Sequence, residues 1–202
     1  MIVIVNYGLG NLGSIQNMFK KIGVESTISS EHSVIMEADK LILPGVGNFG
    51  KGMQELEKSD LKEILTKKAL VEKTPILGIC LGMQLMTDES EESELKGLGW
   101  IKAKTLKFDF DNVTMKVPHM GWNTVEVCNE NRLIVKSPDK IRYYFVHSYY
   151  VKVADESNSI AKTQYGVSFD SAFHKDNIYG VQFHPEKSHK FGMNLLRNFS
   201  TI

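Results

Sequence analysis

The feature that most constrains this chain is the segment Thr74-Pro75-Ile76-Leu77-Gly78-Ile79-Cys80-Leu81-Gly82-Met83-Gln84. A short apolar run with a proline at its start leads directly into a cysteine framed as G-x-C-x-G. That pattern is the sequence form of a nucleophile elbow, in which a buried strand turns sharply through the reactive residue into a helix. Small residues flank the cysteine because the strained turn leaves room for no side chain but the nucleophile's own. The turn lifts the sulfur above the sheet and sets Cys80 at a helix N-terminus, where the dipole favours negative charge. A core cysteine is the commoner meaning of so short a pattern. A partner elsewhere in the chain has to decide between the two.

That partner is Gly180-Val181-Gln182-Phe183-His184-Pro185-Glu186. A second strand-like run, residues 178–183, ends on a histidine followed by proline and glutamate. Proline fixes its own φ and biases His184 toward an extended conformation. Residues i and i+2 of an extended chain share a face, which predicts that His184 and Glu186 lie side by side. A carboxylate beside an imidazole fixes its tautomer and supports the imidazolium that forms when it takes a proton. Cys80, His184 and Glu186 are therefore the candidate nucleophile, base and orienter.

The first half of the chain alternates strand and helix. Residues 2–5 form a strand, and residues 12–22 carry a helical apolar spacing closed by Gly23. A strand near 25–29, another at 40–43 running into Pro44, an amphipathic helix at 56–71 and the strand at 74–79 follow. This β/α order predicts a parallel sheet covered by helices, with the site at the carboxyl ends of its strands. Met83, Leu85 and Met86 face the core. After Gly97 the segments 100–108, 122–127, 142–151, 159–165, 168–174 and 178–183 read as strands without helices between them, an antiparallel extension. A final helix at 190–199 is capped by Ser188 or His189. The expectation is an α/β fold with a mixed, mostly parallel sheet flanked by helices, in one domain over residues 1–202.

Composition narrows the function classes. Twenty-four Lys and Arg balance 24 Asp and Glu, so the chain has no electrostatic footprint for nucleic acid or anionic lipid. No apolar stretch is long enough to span a membrane, and Met1-Ile2-Val3-Ile4-Val5 reads as a strand rather than a signal peptide. With Cys80 assigned to chemistry and Cys128 in a strand-like segment, no disulfide framework is expected, which suits a reducing cytoplasm. The six histidines show no metal spacing, so neither a metal site nor a cofactor is expected.

Read together, these blocks resemble the class I (triad) glutamine amidotransferases, a family with a flavodoxin-like fold. The likeness lies in Gly78-Ile79-Cys80-Leu81-Gly82-Met83-Gln84 and in Phe183-His184-Pro185-Glu186, and three further segments extend it. Leu43-Pro44-Gly45-Val46-Gly47-Asn48-Phe49-Gly50 looks like the family's oxyanion loop. Lys116-Val117-Pro118-His119-Met120-Gly121-Trp122-Asn123 and Tyr144-Phe145-Val146-His147-Ser148-Tyr149-Tyr150 are similar to blocks of one subfamily, the glutaminase subunit of imidazole glycerol phosphate synthase. The resemblance begins at Asn6-Tyr7-Gly8-Leu9-Gly10-Asn11-Leu12 and reaches the last helix.

The resemblance implies hydrolysis of the side-chain amide of L-glutamine. Cys80 would attack the amide carbon, His184 would protonate the departing ammonia, and water would cleave the glutamyl thioester. It implies an oxyanion hole built from the N–H groups of Leu81 and Val46, the latter in a loop whose glycines let the peptide rotate. Gly47, Gln84, Glu92, Tyr144, Ser148 and Tyr149 would bind the substrate. Glu92 would receive the α-ammonium, although Glu89-Ser90-Glu91-Glu92 alone reads as a solvated surface. The implied partner is a (β/α)-barrel cyclase that takes ammonia through a dry passage. Asn11, His119, Met120, Gly121, Trp122, Asn123 and Lys187 would meet it in a heterodimer.

Other readings stay open at this stage. Ala103 stands where histidine-pathway members carry glycine, and related paralogues feed synthases that amidate nucleotide-linked sugars for surface glycans. The intact block at 119–123 places histidine biosynthesis first, since such blocks set partner choice. A cysteine peptidase or deglycase-like relative would not need the pocket of Met83-Gln84 and Glu92. A pseudoenzyme would lack a member of the triad.

Overall fold

The structure is a computed structural model, and it describes residues 1–110 and 115–202. β1 (Ile2–Val5) is buried on both faces: Ile2 and Ile4 enter one core, Val3 and Val5 the other. Only a central strand with helices on either side needs such a run. α1 (Leu12–Lys21) buries Ile15, Met18 and Phe19 at helical spacing. β2 (Ser26–Ser29) then lies parallel to β1. A short α2 (His32–Met36) leads to β3 (Lys40–Leu43), parallel to β1 on its other side.

The helix expected at 56–71 is instead three pieces: α3 (Phe49–Lys58), α4 (Leu61–Thr66) and a π-helical turn at Lys67–Val71. Asp60 breaks the run by adopting φ 55°, and Ser59 turns its hydroxyl back onto the Glu55 carbonyl at 2.7 Å. Leu56, Leu61 and Leu65 are all buried in one core, and the five-residue step from Leu56 to Leu61 is the only departure from helical spacing among them. β4 (Ile76–Ile79) and α5 (Leu81–Leu85) follow, and Met83, Leu85 and Met86 are buried as expected.

The second half is antiparallel, as its pattern predicts, except where Glu89 and Ser90 pair with Lys104 and Thr105, and Ile178–Val181 with β4, in parallel. A two-residue β5 (Glu89–Ser90) precedes β6 (Ala103–Lys107), β7 (His119–Val127) and β8 (Ile141–His147). β9 (Tyr149–Val153), β10 (Ser159–Tyr165), β11 (Val167–Lys175), β12 (Ile178–Val181) and α6 (His189–Thr201) complete the chain. The single strand expected at 142–151 is two, divided at Ser148, because β8 pairs with β7 while β9 pairs with β6 and β11. The strand expected at 178–183 stops at Val181.

The main path of the sheet runs β2-β1-β3-β4-β12-β11-β10-β7-β8. Every pairing from β2 through β12 is parallel, and every one beyond β12 on this path is antiparallel. β12 is therefore the seam between the two halves. It brings the end of a late strand beside β4, which carries the elbow. Among the described residues no helix is long and apolar enough to cross a membrane.

Packing at the elbow leaves no room for a Cβ. A methyl group on Gly82 would stand 1.8 Å from the Leu43 carbonyl oxygen. One on Gly13, in α1, would meet nothing within 4 Å. Gly82→Ala is expected to lower stability by about 1–3 kcal/mol through overpacking. Gly13→Ala should raise it by about 0.5–1 kcal/mol through helix propensity. Denaturant midpoints of the two variants check both signs.

Candidate active site

Cys80 sits at the turn between β4 and α5 with φ 54° and ψ −109°, a conformation that a non-glycine residue adopts only under constraint. The constraint is visible. The Cys80 N–H donates to the Val181 carbonyl at 2.8 Å, and Gly78 and Gly82 let α5 pack hard against the strand. The side chain is only 7% exposed. α5 has five residues, so the elbow geometry rather than a long helix defines the position.

His184 follows β12 in an extended conformation, as proline at 185 predicts. The route to Glu186 differs from the extended chain expected. Pro185–Lys187 forms a 3-10 turn, and it is this turn that brings Glu186 Oε1 to 2.8 Å from His184 Nδ1. Both side chains are 2% exposed. Two devices hold the turn. Ser188 donates its hydroxyl to the His184 carbonyl at 2.6 Å and accepts the Tyr144 N–H at 3.0 Å, so this hydroxyl does not cap α6. Gly192 lets α6 lie directly on Pro185, whose carbonyl oxygen a Cβ there would meet at 1.8 Å.

Burial alone would lower the His184 imidazole. The Cys80 sulfur and the Glu186 carboxylate outweigh that and push it up to about 10. At neutral pH the ring is therefore an imidazolium. Its Nε2 is buried and has no hydrogen-bond partner among the described residues, so its proton remains available for a reacting group.

A cleft of about 400 Å³ opens over the triad. It is lined by Val46, Gly47, Cys80, Leu81, Gln84, Glu92, Ser148, Tyr149 and His184, and also by Pro118, Val146, His147 and Lys187. Larger grooves of 940 and 690 Å³ lie beside Gln16 and beside Leu133, without a cysteine or histidine in their walls. Glu92 is half-buried rather than solvated: its Oε2 accepts the Phe49 N–H at 2.7 Å at the start of α3, which aims the carboxylate. Tyr144 does not line the cleft. Its ring lies near Trp122, with Lys187 Nζ 5.7 Å from its centroid.

The loop carrying Val46 is fixed at one end. Tyr7, to which the sequence pattern assigns no role, donates its buried hydroxyl to the Pro44 carbonyl at 2.7 Å. Burial, and then the charge on Cys80, raise the Tyr7 phenol so that it stays a neutral donor. Gly45 is wedged between Tyr7 and α5, while Gly47 has φ 105° and open space around it.

The residues expected at a partner surface divide. Met120 and Trp122 are exposed at 61% and 39%; Met120 pairs with Val146 of the cleft wall, and Val46 in that wall and Val117, next to its Pro118, are exposed too. Lys187 and Asn11 are also exposed. His119 is buried, and its Nδ1 lies 2.9 Å from His147 Nε2. Asn123 turns inward to His119 and to the Gln164 carbonyl. Burial pushes His147 down to about 3 and His119 to about 4, so both rings are neutral. His147 Nδ1 reaches the Tyr149 carbonyl at 2.8 Å, which also accepts Gln84 Nε2 at 3.0 Å. Gln84 Nε2 further meets Gln182 Oε1 at 3.0 Å, and Gln182 Nε2 lies 3.7 Å from Cys80 Sγ. Neither His147 nor Gln182 is expected at the site from the sequence pattern. The available signals are a polar residue inside the apolar run 178–183 and a histidine on the buried side of an alternating strand.

A thiol at a strand–helix elbow, opposite an imidazolium and its carboxylate in the turn that follows the adjacent parallel strand, defines a triad enzyme of the α/β class. Comparison with known proteins narrows the class. The family model "Glutamine amidotransferase class-I" matches residues 3–201. Imidazole glycerol phosphate synthase subunit HisH 2 of Methanococcus maripaludis is 56% identical over 199 residues, covering 98% of each chain. The Pseudomonas aeruginosa protein named imidazole glycerol phosphate synthase subunit HisH 2 is 45% identical, with the same coverage. The solved structure of a glutamine amidotransferase from Thermotoga maritima shares the fold, with a TM-score of 0.65 at 15% identity, covering 99% of this chain and 82% of that one. The chain belongs to the class I glutamine amidotransferases.

The raised His184 value carries a sign. Its stabilising contribution is complete below the ordinary histidine value of about 6.5 and is lost as pH rises through about 10. An NMR titration of the His184 ring should show a midpoint near 10 in the wild type and a lower one in Glu186→Gln. A wild-type midpoint near the ordinary value would contradict this account.

Proposed function

We propose that this chain hydrolyses L-glutamine to glutamate and ammonia through a Cys80 thioester and delivers the ammonia to a cyclase subunit of imidazole glycerol phosphate synthase. The observation that carries the chemistry is the 2.8 Å His184–Glu186 pair set beside Cys80 in one cleft. Cys80 Sγ attacks the amide carbon, and the imidazolium proton of His184 goes to the departing nitrogen. Water then attacks the thioester with His184 as base. The N–H groups of Leu81 and Val46, both in the cleft wall, are the proposed oxyanion donors. Glu92, with Gly47, Ser148 and Tyr149, is proposed to hold the amino-acid end of glutamine. Gln84 contributes through the buried chain that ends at Cys80, and Tyr144 through the rim it shares with Trp122.

Ammonia set free in water at neutral pH becomes ammonium and loses its nucleophilicity, so the product has to pass to an acceptor site without meeting solvent. The exposed Met120, Trp122, Val117 and Lys187 beside the cleft suit a docked synthase, for which a (β/α)-barrel cyclase is the proposed form. The fully aligned relatives are named for imidazole glycerol phosphate synthase at 40–56% identity, which favours histidine biosynthesis over supply of a nucleotide-sugar synthase. Ala103 does not argue otherwise, because it is buried in β6 and absent from the cleft wall. The setting proposed is a single amidotransferase domain over residues 1–202 working in the cytoplasm.

Glutamate release from L-glutamine should rise strongly when the histidine-pathway cyclase of the same organism and its phosphoribosyl substrate analogue are added. Cys80→Ala should lower kcat by about a thousandfold or more. Trp122→Ala should weaken association with the cyclase by about 2 kcal/mol. A verifiably active cyclase that gives no stimulation would remove the pathway assignment while leaving the chemistry in place.

A further inference from the structure

Gln182 is fully buried in the segment between β12 and His184, where its neighbours Val181 and Phe183 are apolar. A buried primary amide costs stability unless both its ends are engaged. Here both are: Oε1 faces Gln84 Nε2 at 3.0 Å and Nε2 faces Cys80 Sγ at 3.7 Å.

Hydrogen-bond logic fixes which end of the amide meets the sulfur. The Tyr149 carbonyl can only accept, and it accepts from His147 Nδ1 and from Gln84 Nε2. The Gln84 group on that carbonyl is therefore its NH₂. The second hydrogen of that NH₂ needs an acceptor, which is Gln182 Oε1. The opposite end of Gln182, its own NH₂, is thereby turned to Cys80. Flipping Gln182 would set two NH₂ groups against each other. The neutral His119–His147 pair secures the chain from the other side: Asn123 Nδ2 donates to His119 Nε2, and His119 Nδ1–H donates to His147 Nε2. That sequence leaves His147 with its proton on Nδ1, pointed at the Tyr149 carbonyl.

We infer that Gln182 is a positioning residue for the nucleophile, its amide N–H held against the Cys80 sulfur by Gln84 so that the sulfur keeps one orientation through attack. The inference rests on Cys80 being the nucleophile of the proposed reaction. A hydrogen bond from a neutral donor to an ionised sulfur is charge-assisted and survives only while the donor end faces it. The His184 Nε2 has no hydrogen-bond partner among the described residues, which leaves the imidazolium proton for the leaving group.

The test separates orientation from simple packing. Gln182→Glu keeps the volume and the acceptor for Gln84 but sets a carboxyl oxygen against the sulfur. Gln182→Met removes both polar ends at similar volume. Alkylation of Cys80 by iodoacetamide, followed by mass spectrometry of its own peptide to exclude Cys128, should slow by about tenfold or more in Gln182→Glu, the loss expected for a hydrogen bond to a charged group. With the cyclase bound, kcat should fall in parallel while KM for glutamine stays within about twofold, the pattern of an interaction made by the reacting sulfur and not by substrate binding. The smaller loss should belong to Gln182→Met. In the wild-type protein, the side-chain amide resonance of Gln182 should shift when Cys80 is alkylated. This last measurement stands even where neither variant folds.

Alkylation rates unchanged in both variants, a KM rise with kcat preserved, or a Gln182 resonance indifferent to Cys80 modification would each overturn the inference. Should the wild type release no glutamate with its cyclase, the proposed function fails. The alkylation and resonance measurements would still report on Gln182.

Discussion

The parallel pairing of β4 with β12 is the interaction on which the site depends. Its register sets Gly78 beside Gly180 and Ile79 beside Val181, and it ends on the bond from the Cys80 N–H to the Val181 carbonyl. A slip of one residue would turn every side chain of β12 to the opposite face. The paired glycines give the register a second task. A Cβ on Gly78 would meet the Gly82 carbonyl oxygen at 2.7 Å, and one on Gly180 would meet Met83 Cγ at the same distance. With both positions bare, α5 settles onto the two strands at once. Nucleophile and imidazole then leave neighbouring strands at the same edge of the sheet, although about a hundred residues of chain separate them.

That arrangement explains which parts of the molecule were legible in the amino-acid sequence. Strands buried on both faces, such as β1, announce themselves as continuous apolar runs. The elbow announces itself because only small residues fit around it. The triad was legible for the same reason: each member is tied to a local device, a glycine-framed turn for Cys80 and a proline for His184. The extended path expected from His184 to Glu186 is a 3-10 turn instead. The contact forms all the same, because Ser188 and Gly192 hold the turn against Tyr144 and α6. The break at Asp60 shows only as a five-residue step from Leu56 to Leu61, easily lost among buried leucines on both sides, and a left-handed aspartate leaves no other mark in the pattern.

What stayed illegible is what long-range contacts decide. His119 lies in a block that resembles a docking surface, yet it is buried against Phe145 and Tyr165 and bonded to His147. Alternation along β7 puts His119 inward with Met120 outward, and the sequence offers no cue to which phase the strand adopts until β8 pairs with it. Glu92 is the converse. An acidic run reads as solvent-facing, but the Phe49 N–H draws this one carboxylate into the cleft wall. Neither residue changes chemical character; each acquires its role from an element packed against it.

The loop at residues 44–47 shows how such packing divides rigidity within four residues. Its first half cannot move without breaking the Tyr7–Pro44 bond and lifting Gly45 from α5, where a Cβ would already meet the Gly82 nitrogen at 2.8 Å. Its second half has no comparable hold: Val46 is 41% exposed and Gly47 has free space on the side a Cβ would occupy. A peptide unit anchored at one end and bordered by glycine at the other can rotate at low cost, because glycine accepts backbone conformations on both sides of φ zero. The rotation would carry the Val46 N–H toward or away from a developing oxyanion while the Leu81 N–H, locked in the elbow, stays in place. Catalytic power in such a site depends on both donors being aimed before charge develops. A partner docked on the exposed Val46, Val117 and Met120, as proposed, would have direct physical access to the one proposed oxyanion donor that the fold leaves adjustable.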